Sequence, residues 1–162
     1  PNLVDFRSRT EVLAGLAGYH FAGVAIASGG EPQQAPAELV SGNYFDLLGV
    51  KPVLGRAFLP EEDRTPGAHP VAVISHNLWT RSFGADPGVV NRKLTVNGRP
   101  FTIIGVAPPE FRGVNPLAGT MLWVPTMTYR ETMALPGIPV VGAGQVVANQ
   151  TRDFFRDQAF YA

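Results

Sequence analysis

Apolar and small positions recur at alternating spacings of three and four through Leu3, Phe6, Thr10, Leu13 and Ala17, with Asp5, Arg7, Ser8, Arg9 and Glu11 largely between them. That period predicts an amphipathic helix over residues 2–17. Asn2 suits its N-cap, Asp5 puts negative charge in the first turn, and Gly15 and Gly18 supply stop signals. The pattern then changes. Tyr19 to Ala27 is rich in aromatic and β-branched residues and predicts a strand, broken by Ser28-Gly29-Gly30-Glu31-Pro32.

Shorter elements follow. Ala37 to Ser41 reads as a short strand, and Gly42 to Gly49 as one or two helical turns closed by glycine. Lys51 to Phe58 is extended or looping, Pro60-Glu61-Glu62-Asp63 an acidic turn and Thr65-Pro66-Gly67 a loop. Pro70 to Ile74 is an apolar strand. Ser75 caps a helix over residues 76–83 that can bury Leu78, Trp79 and Phe83 on one face, and Gly84 ends it before the Asp86-Pro87-Gly88 turn. The strongest local signal is Asn97-Gly98 between Leu94-Thr95-Val96 and Phe101 to Val106, because both turn residues tolerate the positive φ of a type I′ hairpin. Ala107-Pro108-Pro109 closes the second strand, residues 108–120 form a Pro/Gly-rich loop, and Met121 to Pro125 reads as a short edge strand. Residues 130–144 fit neither period, and Thr151 to Phe160 reads as a helix with Phe154, Phe155 and Ala159 on one side. Helices and strands intermix without a repeated βαβ rhythm, so the expected class is α+β.

Eighteen Gly and 15 Pro in 162 residues favour many short elements, and 45% hydrophobic residues are enough for a core. Thirteen basic residues balance 13 acidic ones, which argues against nucleic-acid binding, where phosphate contacts demand a basic excess. No polybasic run suggests docking on anionic lipid. The lack of cysteine excludes disulfides, thiolate metal sites and thiol nucleophiles. The chain starts at Pro1, has no basic and apolar leader, and contains no run of about 18 apolar residues. The expectation is a water-soluble chain that is either an excised fragment or a processed product.

A search for reactive groups assigns no catalytic, cofactor-binding or metal-ligating residue. His20, His69 and His76 form no i, i+4 pair. Ser75 beside His76 is better explained as a helix cap, and Ser28-Gly29 and Ser41-Gly42 sit in turns. Glu61-Glu62-Asp63 is the one carboxylate cluster. It lacks the alternating spacing of a calcium loop and reads as a solvated turn. Gly15, Gly18 and Gly23 follow a helix instead of linking a strand to one, and Gly113 and Gly119 precede no Lys-Ser/Thr, so no nucleotide loop is present. Tyr44 and Trp123 could line a ligand groove, but core packing is the commoner fate of such residues. Asn149-Gln150-Thr151 is a sequon that matters only in a glycosylating host.

Taken as one string, residues 40–125 are more specific. Val40-Ser41-Gly42-Asn43-Tyr44-Phe45-Asp46-Leu47-Leu48-Gly49-Val50 leads to Leu54-Gly55-Arg56-Ala57-Phe58, then to Pro70-Val71-Ala72-Val73-Ile74-Ser75 with Leu78-Trp79 and Phe83-Gly84. Asp86-Pro87-Gly88-Val89-Val90, Leu94 to Gly98, Phe101 to Pro109 and Leu122-Trp123-Val124-Pro125 complete it. This succession resembles the MacB-like periplasmic core domain of ABC-type permeases of the MacB/FtsX class, nearest to the duplicated orphan permeases best known from Acidobacteria.

The resemblance implies an α+β fold with a porter-like lobe from residues 1–40 and 118–162. An inserted, sabre-like mixed lobe would span residues 41–117 and carry the Asn97-Gly98 hairpin. It also implies a place on the periplasmic face of the cytoplasmic membrane, between transmembrane helices of one permease. The role implied is non-catalytic: passing on movement driven by a cytoplasmic ATPase, toward substrate export or envelope partners. Expected partners are the flanking transmembrane helices, the ATPase subunit, and a periplasmic adaptor or second permease domain; no cofactor is expected. After Pro125 the family continues with a strand, helix and strand, and residues 134–162 do not follow that pattern. The alternative is an extracytoplasmic module that binds a small ligand or peptide in an apolar pocket.

Overall fold

A computed structural model of the chain describes residues 17–114 and 119–133. The helices expected over residues 2–17 and 151–160, the sequon and the ambiguous stretch beyond residue 133 lie outside the described residues, except for Ala17 and the short helix named below.

Seven strands form one sheet: β1 (Tyr19–Ala27), β2 (Gln33–Val40), β3 (Leu54–Gly55), β4 (Val71–Ile74), β5 (Lys93–Val96), β6 (Arg99–Val106) and β7 (Leu122–Pro125). Among the described residues three short α-helices accompany them, α1 (Tyr44–Leu47), α2 (His76–Phe83) and, after the last strand, α3 (Tyr129–Met133). Helix and strand content is therefore mixed, as the pattern implies. The strand order is β3-β6-β4-β7-β2-β1-β5, and β5 also pairs with β6. Six strands thus close into a ring. β4 holds one side of β6, while β5 and then β3 share the other. Two of the ladders, β2–β7 and β4–β6, are parallel.

Alternation divides the side chains into two layers. Val24, Ile26, Ala35, Ala37, Leu39, Ala72, Ile74, Leu94, Val96, Phe101, Ile103, Leu122 and Val124 form one buried cluster inside the ring. Alanines at 22, 35, 37 and 72 suit the narrow interior of a six-stranded closure. Val40, Val73, Ile104 and Trp123 point the other way and are covered by Tyr44, Phe45, Phe58 and Ala107. A bulge at Ile104 lets the neighbours Ile103 and Ile104 serve both layers. Just beyond it, a Cβ on Gly105 would lie 2.3 Å from the Arg56 carbonyl oxygen, so only glycine lets β3 approach β6.

Local signals behave as their chemistry dictates. The Ser75 hydroxyl accepts the Leu78 N–H at 3.1 Å, and Gly84 ends α2 at φ +61°. Asn97 (φ +47°) and Gly98 (φ +79°) turn the β5–β6 hairpin. Two expectations fail. Residues 121–125 are no edge: β7 lies between β2 and β4, and all four of its residues are buried. Its shortness and terminal proline mimic an edge, but the Pro125 carbonyl end of the strand is where the ladder stops. β2 is also longer than expected, because Pro36 is tolerated one residue before the β7 ladder begins at Ala37. The sheet also runs across the divisions drawn at residues 40/41 and 117/118, since β1 pairs with β5 and β7 with β4.

Candidate functional site

The densest polar chemistry lies under the outer layer. Glu38 alternates with the inward-facing Ala37 and Leu39, so it projects outward between its ladder partners Phe21 on β1 and Trp123 on β7. A lone carboxyl at such a position would normally meet solvent. Here it is fully buried, because α1 and the chain after β6 fold over it. Its Oε2 accepts the Tyr44 hydroxyl at 2.8 Å and the Trp123 indole N–H at 3.0 Å, and its Oε1 accepts the Thr120 hydroxyl at 2.8 Å. Neutral donors thus occupy three of about four acceptor positions of the carboxyl. Phe45 meets Trp123 edge-on with ring centres 5.7 Å apart, and Phe111 lies tilted against it at 5.1 Å. Burial first, and then the Glu38 carboxyl, push the Tyr44 phenol well above its ordinary range, so it stays a neutral donor. The arrangement ties α1, β2, β7 and Thr120 just ahead of β7 together. Three of the carboxyl's acceptor positions are already taken by protein donors, and its chemistry is that of a latch.

A second polar link lies nearby. The Arg56 guanidinium grips Glu62 through two 2.8 Å bonds, and Glu62 Oε2 also accepts the Leu59 N–H at 2.8 Å. Burial works to raise the Glu62 carboxyl, but Arg56 and the Leu59 amide outweigh it and hold it below its usual range. Asp63 accepts from the Gly42 N–H, the Thr126 hydroxyl and the Met127 N–H. The acidic turn is therefore not solvated throughout. Glu61 is exposed, Glu62 is buried, and the cluster fastens the loop to both ends of the outer layer.

The structure disposes of the other candidates individually. Tyr44 and Trp123 are core residues. Ser75 is a cap, and the Ser41 hydroxyl accepts the Gly18 N–H while donating to Asn43. His76 meets Trp79 edge-on at 5.2 Å, and His20 meets Tyr129 at 6.3 Å. Among the described residues no three His, Asp or Glu side chains converge as a metal site would require. Glu38 escaped the sequence reading; its only signal is one carboxyl in the run Ala35 to Val40, matched by the nearby Tyr44 and the distant Trp123, two aromatic residues with polar tips.

Comparison with known proteins bears on this architecture directly. Residues 3–153 match the MacB-like periplasmic core domain. The chain belongs to that family. Among curated relatives, the macrolide export ATP-binding/permease protein MacB of Burkholderia thailandensis is 32% identical over 93 residues, 56% of this chain and 14% of its own length. The matched stretch is thus a small part of that relative. The MacB of Burkholderia pseudomallei is 31% identical over the same length. In fold, the periplasmic region of MacB from Actinobacillus actinomycetemcomitans superposes with a TM-score of 0.64 at 14% identity, covering 94% of this chain and 72% of that one. The extracellular domain of the ABC-type transporter YknZ from Gram-positive bacteria gives a TM-score of 0.64 at 13% identity, over 80% of this chain and 64% of that one. Membership of a MacB-like domain family fits the mixed fold. Among the described residues no helix is long and apolar enough to cross a membrane.

Proposed function

We propose that this chain is a non-catalytic module on the extracytoplasmic face of an ABC-type permease, held between that permease's transmembrane helices. It moves as one body when those helices move, and so carries the effect of ATP hydrolysis in a cytoplasmic partner toward substrate export or an envelope partner. One observation carries the reading. The incoming strand β1 and the outgoing helix α3 meet at His20 and Tyr129, 6.3 Å apart, on a ring of strands that is otherwise closed. A body held at one place by two neighbouring chain segments is displaced whole instead of being stretched. Family membership supports the location and the permease context. The shared sheet weighs against a lobe division at 40/41 and 117/118. Within this reading we draw the junction outside Tyr19 to Pro125, with the ring as the inserted lobe.

The test is a distance measurement in the full-length permease with its ATPase. Spin labels on cysteines replacing Glu31 and Arg81 report within the ring, and a third on a flanking membrane helix reports between bodies. We expect the Glu31–Arg81 distance to hold between the ATP and ADP states while the Arg81–helix distance changes. A changing internal distance, or a constant external one, overturns the proposal.

A further inference from the structure

Two of the six ladders that close the ring contain only two residue pairs. One, β4–β7, lies beneath the aromatic layer with Val73 and Trp123 buried. The other, β1–β5, pairs only Ile26 with Val96 and Ala27 with Thr95. The hairpin turns away immediately afterwards, and the ladder is continued by a single side chain. Asn97 donates its backbone N–H to the Ala25 carbonyl at 2.8 Å, and its Oδ1 accepts the Ala25 N–H at 2.7 Å. Its amide thus occupies the place of the next peptide group. Period-two alternation sends the Phe21 and Gly23 backbone groups the same way as those of Ala25, and no strand meets them among the described residues. The Asn97 Nδ2 is occupied as well, donating to the Thr132 carbonyl oxygen of α3. Asn97 is buried despite its place at a hairpin tip.

We infer that Asn97 is a clasp joining α3 to the β1–β5 seam, so that seam and helix open and close as one unit. Turn chemistry explains an asparagine at positive φ, but not its burial or its two outward bonds. A short seam beside a β1 edge that meets no strand among the described residues is the low-stability line of the ring. Because one side-chain amide bonds to both, the departure of either removes a contact that orients the amide for the other. Under the proposed function, the clasp makes outgoing helix and ring a single body. The structural claim itself concerns the isolated chain and is tested without any transport assay.

Amide hydrogen exchange followed by NMR on the 162-residue chain separates the alternatives. In the parent chain, Ala25 and the α3 amides should exchange with matching protection. Asn97→Asp keeps an acceptor for the Ala25 N–H but loses the donor to Thr132. It should speed α3 exchange tenfold or more and leave Ala25 protected. Asn97→Gly keeps the positive φ and removes both side-chain bonds, so both sites should speed up while β1–β2 amides stay unchanged. The lack of native cysteine allows a lock. Ala27→Cys with Thr95→Cys joins facing residues, whose Cα separation in such a pair, about 5.5 Å, suits a disulfide. Oxidation should slow exchange in α3 as well as at the seam, and reduction should restore it. The inference is overturned if α3 exchange ignores both the Asn97 substitutions and the oxidation state, or if the two sites differ in protection in the parent chain.

Discussion

The indole N–H of Trp123 donates to the carboxyl of Glu38 at 3.0 Å across 85 residues of sequence, on adjacent strands that run parallel. With the Tyr44 and Thr120 hydroxyls on the same carboxyl, this bond makes β2 the anchor of the outer layer.

Glu38→Ala should therefore be costly. It leaves one indole N–H and two hydroxyls buried without acceptors, at roughly 1–3 kcal/mol for each group not rescued by water. A total loss of about 3 kcal/mol in urea unfolding is expected. Glu38→Gln should cost about 1 kcal/mol or less, because its amide oxygen can face Trp123 and Tyr44 while its NH₂ donates to Thr120. If Gln is as damaging as Ala, the hydrogen-bond account is wrong.

Gly113 sits at φ +85°, and a Cβ there would lie 2.3 Å from Glu38 Oε1 and 2.8 Å from the Thr120 hydroxyl. Gly113→Ala combines overpacking with a left-handed backbone and should lower stability by about 2–4 kcal/mol. Gly49→Ala, at φ +66° with open space around it, should cost only about 1 kcal/mol. Thermal melts of the two variants separate crowding from backbone strain. Equal losses would refute the close approach.

Short-range chemistry was readable in advance, because capping and turn signals act over a few residues. Ser75, Gly84 and Asn97-Gly98 do what their side chains require. The closed ring was not readable. It depends on β7 entering between β2 and β4, and nothing in Leu122 to Pro125 encodes which strands flank it. Glu38 was missed for the same reason: alternation assigns it to the outer face, and only tertiary folding decides that α1 and Phe111 cover that face. The acidic turn misled because its composition is that of solvent, whereas Arg56 and Gly42 draw two of its three carboxyls inward.

Glu62 makes acid the weak side of the stability profile. Its carboxyl titrates below the ordinary 4.5 in the folded chain. The stabilisation is present above that value and is lost as pH falls through the lower folded value. Glu62→Gln should thus be less stable than the parent at pH 7, with the gap narrowing below about pH 4. A gap independent of pH would show that Arg56 does not favour the charged form.

His20 acts in a higher window. Burial lowers its imidazole below the ordinary 6.5, so the folded chain prefers the neutral ring. That contribution is intact above pH 6.5 and falls away as pH drops from there toward the folded value. His20→Phe should flatten the slope of stability against pH just below 6.5, measured by denaturant unfolding at closely spaced pH values. An unchanged slope would assign the neutral-to-acid loss to other groups.

The order in which the strands are synthesised has a consequence for how the chain becomes native. β7 is the last strand of the ring to be made, yet it sits between β2 and β4. Until residue 125 is available, the β1–β2 hairpin and the β4–β6 unit can each form with an unsatisfied edge turned toward the missing strand. Long-range parallel pairing is slow to find. The nascent chain therefore passes through a stage with two sticky edges, and that interval, more than any defect in the finished barrel, is where a chaperone would be needed.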